Sequence, residues 1–471
     1  MVSLAVPTDR ISPQQTAVIL FTMSLGVFIA QLDSQVVNLA IKDIGSTLNV
    51  GINTLQWVID SYNLFYATLL LTGGTLGDLY GRARLFAIGI GLIVLGSIVC
   101  AAAPNGAILI AGRAITGIGS ALEVPTSLAI LTVAYADDKE CARAIGIWAS
   151  CNGLALAAGP TVGGLLVDAA GWRSIFILVV PFSLLAMVLA MKRVPESSNP
   201  QGRRLDPAGQ ALAIATLGAL SFVTIEGPHW GFTSPLILGL AIACVVAGAG
   251  FVASQHGRPG ALVPLDFFRN RVFSAALAVA GMMTFGMYAM LFLTPLYLQS
   301  LGKISAFMVG LALLPLSVTF VIVSQCSGAL VKRFGPRAMM TAGMAAMGTG
   351  LVLLAQVTTS PNMVLIETAL LIIGAGLGLN TGPVNTVAVA SVPPARSGTA
   401  SGLINTSRMV GATLGVAALG ALFAMQAGDN HPDAMVSGLR AAYWGGAIVE
   451  LAGALIALAF IRNDAIKQRA S

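Results

Sequence analysis

The chain has 471 residues, 56% hydrophobic and 9% charged, with a net charge of +6 and a mean hydropathy of +0.86. Soluble domains carry about 25% charged residues, so this composition excludes a large soluble core and points to an all-α polytopic membrane protein. The positive balance is too small and too scattered for a nucleic-acid surface, and the five cysteines form no CxxC pair that would suggest a zinc site or disulfide framework.

Apolar runs of about 20 residues read as spanning helices. Fourteen are predicted, near 16–40, 54–76, 84–103, 107–132, 143–167, 174–191, 208–226, 234–254, 272–298, 304–330, 338–356, 362–390, 398–425 and 441–461. The first is long and lacks a signal-peptide cleavage site, so it is expected to stay in place. An even number of spans puts both termini on one side. With that side inside, inner segments hold about 19 Lys or Arg and outer ones about 4, as the positive-inside rule requires. The inner set includes Arg82, Arg84, Lys192, Arg193, Arg203 and Arg204.

In chain order, the first span carries QLDSQVVNLA, Gln31 to Ala40. At 100° per residue, Gln31, Ser34, Gln35 and Asn38 form a polar stripe about 100° wide, with Asp33 nearly opposite. A charge inside a span is costly and usually faces a cavity or a partner. Asp33 lies about 10 Å below the outer end of its helix, and Asp60 of the second span and Arg113 of the fourth reach a similar depth. Two carboxylates and one guanidinium at one level suit proton sharing; a static ion pair that staples the helices is the competing reading.

Between the second and third spans the chain reads LGDLYGRAR, preceded by Gly73 and Gly74. Gly74 and Gly81 permit tight bends, while Asp78, Arg82 and Arg84 supply charges that can lock or release a contact between helix ends. The fourth span reads RAITGIGSALEVPTS, placing Arg113, Thr116, Ser120, Glu123 and Ser127 on an arc about 80° wide. Such an arc is expected to face water or substrate. Glu123, about 15 Å from Arg113 along the axis, reads as a cavity acid that attracts cations when ionised, or as a buried protonated acid. The fifth span holds GPTVGG; Gly159, Gly163 and Gly164 allow close helix approach, and Pro160 removes a backbone hydrogen bond.

The loop pattern recurs in weakened form as GALVKRFGPR, with Lys332 where Asp78 would stand. Transporters are commonly built from two such repeats around a central site. Arg408, beside Gly411 and Gly415 in the thirteenth span, is a second intramembrane cation, for coupling or for structure. Glu226, His229 and Trp230 read as interfacial anchors, and Glu367 and Glu450 as weaker candidates. No Walker motif, HExxH or nucleophile elbow occurs, so the sequence suggests neither ATP use nor enzymatic chemistry.

Four of these motifs resemble the major facilitator superfamily. The run with Gly74, Leu76, Asp78, Gly81, Arg82 and Arg84 is similar to the family's G-x-L-a-D-r-x-G-r-k loop. The first-span run resembles the L-D-x-T-V-V-N-V-A of fourteen-helix drug exporters, with Gln35 in place of threonine. Arg113, Gly117 and Gly119 resemble R-x-x-q-G-x-g, with Thr116 replacing glutamine. GPTVGG resembles the antiporter motif G-x-x-x-G-P-x-x-G-G, with Ala155 for its first glycine.

The resemblance implies a major facilitator fold of two six-helix bundles, residues 1–192 and 263–471. An inner linker and two extra helices, 193–262, lie between them. Fourteen helices look like the drug:proton antiporter branch, and the WVID run is similar to the methylenomycin-resistance group. The implied function is export of small drug-like or antibiotic molecules across the plasma membrane, by alternating access and in exchange for protons. Asp33, Asp60 and Arg113 would couple protons. Gln31, Gln35, Asn38, Thr116, Ser120, Glu123 and Arg408 would line the cavity, and Gly74, Asp78, Gly81, Arg82 and Arg84 would gate the cytoplasmic side. Gly159, Pro160, Gly163 and Gly164 would form the pliable seam. Both termini would be cytoplasmic. The expected partners are a small-molecule substrate, protons and lipid, without nucleic acid or cofactor, for a chain acting as a monomer. The rival readings are a proton-coupled uptake symporter and a transporter-like sensor without turnover.

Overall fold

The computed structural model describes residues 12–135, 137–200, 205–258, 261–393, 396–427 and 431–463. Both termini, with Arg203 and Arg204, lie outside these residues. Among the described residues the regular structure is helical: α1 (Pro13–Leu48), α2 (Ile52–Tyr80), α3 (Arg82–Ala102), α4 (Gly106–Ala134), α5 (Asp138–Ala170), α6 (Arg173–Arg193), α7 (Pro207–Trp230) and α8 (Pro235–Gln255). A 3₁₀ turn (Leu265–Arg269) then leads into α9 (Arg271–Ser300), α10 (Ala306–Ala312), α11 (Leu314–Leu354), α12 (Met363–Ala390), α13 (Ser397–Gln426) and α14 (Pro432–Phe460). Polar side chains start many of them: Ser12 accepts from Gln15 N (3.2 Å), Asn105 from Ile108 N (3.0 Å) and Asn362 from Leu365 N (3.2 Å).

Twelve helical stretches among the described residues are long and apolar enough to cross a membrane. One of them, Ala306–Leu354, has 49 residues. As a straight rod it would reach about 74 Å, more than twice a bilayer's hydrocarbon core, so it must cross twice. The reversal falls at Gly335, whose φ of 82° breaks α11. Helix α2 falls below the hydropathy of the others because it buries Gln56, Asp60, Ser61 and Asn63, yet its 29 residues are long enough to span. Counting α2 and both legs of the broken helix recovers the fourteen crossings expected. Large apolar side chains lie bare on the outside, among them Ile242, Val245 and Val246 of α8 and Val364 of α12. Such a surface is stable against lipid, and the chain is a multi-pass membrane protein.

Helices α1 to α6 pack chiefly on one another, as do α9 to α14. The two sets meet through α1 on α9, α2 on α13 and α5 on α10. Helix α7 leans on both α2 and α13, and α8 packs mainly on α7. Glycines allow the closest approaches. A methyl group at Gly411 or Gly415 would strike the backbone of α9 at Gly281 or Phe285, so the GxxxG pair seats α13 directly on α9.

Candidate functional site

Asp33 of α1 and Arg113 of α4 form a buried ion pair, Arg113 Nη1 to Asp33 Oδ2 at 2.5 Å, each side chain 1% exposed. Arg113 also donates from Nε to the Val58 carbonyl (3.2 Å) of α2, and its guanidinium lies 4.5 Å from the Tyr62 ring centroid. Tyr62 donates within reach of Ala30 O (3.2 Å) and Ser120 Oγ (3.0 Å). Asp33 and Arg113 therefore lie at one level, as the depth estimate anticipated for these two, and α2 joins them through Val58 and Tyr62. Asp33 Oδ1 remains without a partner, so the carboxylate is held by one oxygen and its other lone pairs are open to a proton.

Asp60 does not join this pair. Asn53 and Trp57 of α2 both donate to the Glu226 carboxylate of α7 (3.3 and 3.0 Å), and Asp60, one turn beyond Trp57, faces Ser221 of α7. Ser61, on the other side, donates to Ile110 O (3.3 Å) of α4. Equal depth is not equal azimuth: a residue three positions on stays with the face of its predecessor, and that face belongs to α7. Glu226, read from sequence only as an interfacial residue, also clamps α7 to α2 through these two bonds.

The arc on α4 corrects a second expectation. Thr116 bonds back to Arg113 O (2.8 Å) and presses against Gly96 of α3. Ser120 meets Tyr62, and Ser127 accepts from Trp148 Nε1 (3.2 Å) of α5. Glu123 is fully buried against Gly26 of α1 and Gly89 and Phe86 of α3, with both carboxylate oxygens unpartnered. These residues turn into the interior of the first bundle and do not line a passage between the two sets of helices. A polar arc must leave lipid, but the bundle's own core satisfies that need as well as a cavity does.

The stripe on α1 divides. Gln31 and Ser34, partly exposed, face the hydroxyl of Tyr288 on α9. Gln35 is buried against Gly159 of α5, its amide without a partner, and Asn38 turns back to Ser34 O (3.5 Å). Arg408 on α13 is partly exposed, donates to Thr381 O (3.3 Å) of α12 and stands near Tyr288. Tyr62, Tyr66 and Tyr288 were not singled out from sequence. Mid-span tyrosines spaced i, i+4 on α2 were the available signal, since tyrosine otherwise favours membrane interfaces.

At one end of the bundle, Arg82 grips Asp78 through Nε (3.0 Å) and Nη2 (2.7 Å). Gly81 between them has φ 110°, a conformation that favours glycine. Glu196, beyond α6, accepts from Ala83 N (3.0 Å) and Arg84 N (3.1 Å), capping α3. The extended segment that carries it also bonds Arg82 N to Ser197 O and Asn199 N to Asp78 O, both at 2.9 Å. The Arg84 side chain points to solvent, and Gly74 lies against Pro125. Beside this latch opens a cavity of about 430 Å³, bordered by Leu71 and Thr75 of α2, Pro125 of α4 and Gly402 and Asn405 of α13.

At the opposite end the halves are closed. Lys42 donates to Gln299 O (2.8 Å), and Gln299 to Leu39 O (2.9 Å). Asp168 accepts from Ala306 N (3.0 Å) and Phe307 N (2.9 Å), and Gln56 donates to Val416 O (3.2 Å). The GPTVGG run lies in this closure. Gly159 and Gly163 abut Gln35 and Val36 of α1, while Pro160 and Gly164 abut Gly310 and Ala306 of α10.

A family model described as Major Facilitator Superfamily matches residues 23–416. The chain is 39% identical over 405 residues to the multidrug resistance protein Stp of Mycobacterium tuberculosis, covering 86% of this chain and 75% of the relative. It is 36% identical over 414 residues to the methylenomycin A resistance protein of Bacillus subtilis, covering 87% and 88%. Among solved structures, a bacterial homolog of the human lysosomal transporter Spinster superposes with a TM-score of 0.68 at 17% identity, covering 97% of this chain and 98% of that one. That likeness bears on the fold alone.

Proposed function

Because this chain belongs to the Major Facilitator Superfamily, to the drug-exporter branch with which its relatives are shared, we propose that this transporter is a proton-coupled antiporter. It exports small drug-like or antibiotic molecules across the plasma membrane by alternating access, with the latch end and both termini cytoplasmic. The observation that carries this reading is the Asp33–Arg113 pair, buried between α1, α2 and α4 and one layer away from the Tyr288 contact between the halves. A proton arriving at Asp33 neutralises the carboxylate, releases Arg113 and so changes the contacts that hold α1 against α4. Uphill export follows if that protonation occurs on one side only and substrate occupies the site in the other state.

The closed far end and the open latch end support one of the two alternating arrangements. The glycine seam on α5 supports the pivot, since it touches both α1 and α10. Asp78, Arg82 and Glu196 supply the lock that must break when the latch end closes or opens. The proton is the coupling ion, and no cofactor has a part in the cycle. Energised cells expressing the protein, challenged with a chemically diverse drug panel with and without a protonophore, test the proposal. Export that survives collapse of the gradient overturns proton coupling. Gradient-driven accumulation inside the cell would make the protein an uptake symporter, and absence of counterflow with a bound ligand would make it a sensor.

A further inference from the structure

Arg408 lies eleven residues past Ser397 on α13, about 16 Å along the helix and so near mid-membrane. A guanidinium at that depth ordinarily has a carboxylate beside it. This one has a single bond to the Thr381 carbonyl, its Nε has no partner, and no ion pair to it exists among the described residues. The titratable group that bears on it is the Tyr288 hydroxyl, which in turn faces Gln31 and Ser34 across the junction of the halves. Tyr288 neighbours Tyr62, whose ring lies 5.8 Å from that of Tyr66. The cavity at the latch end reaches Asn405, one turn below Arg408 and on the same face.

The buried acids make the case from the other side. Asp33 is engaged by Arg113, Asp60 turns to α7, Glu123 turns into the first bundle, and Glu450 is buried against Gly286 in the second. None of them offsets Arg408, so the junction of the halves carries an uncompensated positive charge bordered by tyrosines and an amide.

We propose that the molecule this site takes is an anion, a carboxylate on a flat or aromatic frame, anchored by the Arg408 fork with Tyr288 and Gln31 as neighbouring hydrogen-bond partners. A guanidinium matches a carboxylate with two parallel bonds, and its donors are those left open here. The unpaired charge is costly in a low dielectric, and an arriving carboxylate relieves that cost where an ammonium would add to it. Tyr66, partly exposed beside the buried Tyr62, supplies a ring face for an aromatic frame. The inference takes from the export reading only that this site is the substrate's.

The test is binding to the full-length protein in nanodiscs by calorimetry. The probes are 2-naphthoate, indole-3-acetate and salicylate, set against their methyl esters and trimethylammonium counterparts. Wild type is expected to bind at least one acid and to bind its ester and ammonium forms about thirtyfold more weakly or worse. Arg408→Gln should lose the acid to the level of the ester, and Arg408→Lys, which keeps the charge without the fork, should retain an intermediate affinity. Size-exclusion profiles and thermal unfolding establish that the variants fold. No acid bound by wild type, equal binding of ammonium forms, or unchanged acid binding in Arg408→Gln would each overturn the inference. The readout needs no gradient, so binding that depends on Arg408 without energised export would instead tell against the export reading.

Discussion

Gly81 and Gly335 stand 254 residues apart (335 − 81) and both turn the chain through positive φ, 110° and 82°. Each is pressed by a polar side chain three residues beyond the last helix of its half, Glu196 after Arg193 and Asn463 after Phe460. The repeat is thus carried by bend geometry and by what backs the bend. The two copies differ in charge. Glu196 is an anion on the first turn of α3, where it meets both free N–H groups and the positive end of the helix dipole. Asn463 brings no charge, and Lys332 stands where the first copy has Asp78.

The latch should therefore act through the first copy. Asp78→Asn removes the charge that Arg82 grips at 2.7 Å, and the rate of alternation should fall while substrate affinity stays within about twofold, because the substrate site proposed above lies near the midplane, away from the latch. Glu196→Ala should expose the first turn of α3. Loss of a cap costs about 1–2 kcal/mol, so amide exchange at Ala83 and Arg84 should quicken about 5- to 30-fold. Unchanged exchange there would mean that the segment around Ser197 and Asn199 holds α3 without Glu196.

The Asp33–Arg113 pair makes a thermodynamic prediction that separates coupling from stapling. Removing one member of a buried pair strands the other and costs about 3–5 kcal/mol. Arg113→Gln alone should thus be poorly stable, and the double variant Asp33→Asn with Arg113→Gln should recover much of the loss. Neither Asp33→Asn nor the double variant should export against a gradient, although exchange of substrate for substrate should persist in Asp33→Asn. Thermal unfolding and vesicle transport on the same four proteins check this. Full gradient-driven export by Asp33→Asn would move the proton site elsewhere.

What the sequence made legible, and what it did not, follows from the membrane itself. Spans and their order could be read because lipid enforces long apolar runs, and the depth of Asp33 and Arg113 because each residue adds a fixed rise. Azimuth was a different matter. Asp60 and Glu123 were misplaced because the direction of a polar residue on an inner helix depends on which neighbour covers it, and in a bundle every side has one. Glycine was the missing clue for Glu123: Gly26 and Gly89 leave the room into which its carboxyl fits. Glu196 escaped because it lies in a polar linker, and its task is set by where Gly81 brings the chain.

At the latch end of the extra helix pair, Asp206 caps α7 through Gly209 N (3.0 Å) and accepts from Gln255 Nε2 (2.6 Å) and Arg258 Nη1 (3.0 Å). Burial raises the pKa of this carboxyl, but those bonds and the Arg258 charge outweigh it and hold the group below the ordinary aspartate range. A lowered folded-state pKa means that the stabilisation is fully present above the unfolded value, near pH 4, and is lost as pH falls through the lower folded value. The joint of α7 and α8 should hence be insensitive between pH 5 and pH 8, on the order of neutrality, and open only in stronger acid. Asp206→Asn should reproduce the acid effect at neutral pH, read as faster exchange of the Gly209 and Gln210 amides. Loosening already at pH 6 in the unaltered protein would show that another group controls the joint.

Helix α7 is bound to α2 by polar rungs, Glu226 with Asn53 and Trp57 and Gln210 with Thr72 and with Thr68 O (3.0 Å), while Asp60 lies near Ser221 without a hydrogen bond to it. Among the described residues no side-chain hydrogen bond of this kind ties α7 to α13, so α7 and α8 should travel with the first bundle when the halves rock. Glu226→Ala leaves two buried-side donors unmet, at about 1–3 kcal/mol, and should loosen α7 without touching the Asp33–Arg113 pair. Asp60→Asn should keep gradient-driven export within about threefold of wild type, since an amide can bond Ser221 and the Asp33–Arg113 pair lies on another face of α2. Crosslinking between cysteines placed on α2 and α7 should persist in every transport state, whereas α7–α13 pairs should crosslink in one state only. Loss of uphill export in folded Asp60→Asn would reject this division of labour and return Asp60 to the proton path, by way of α7.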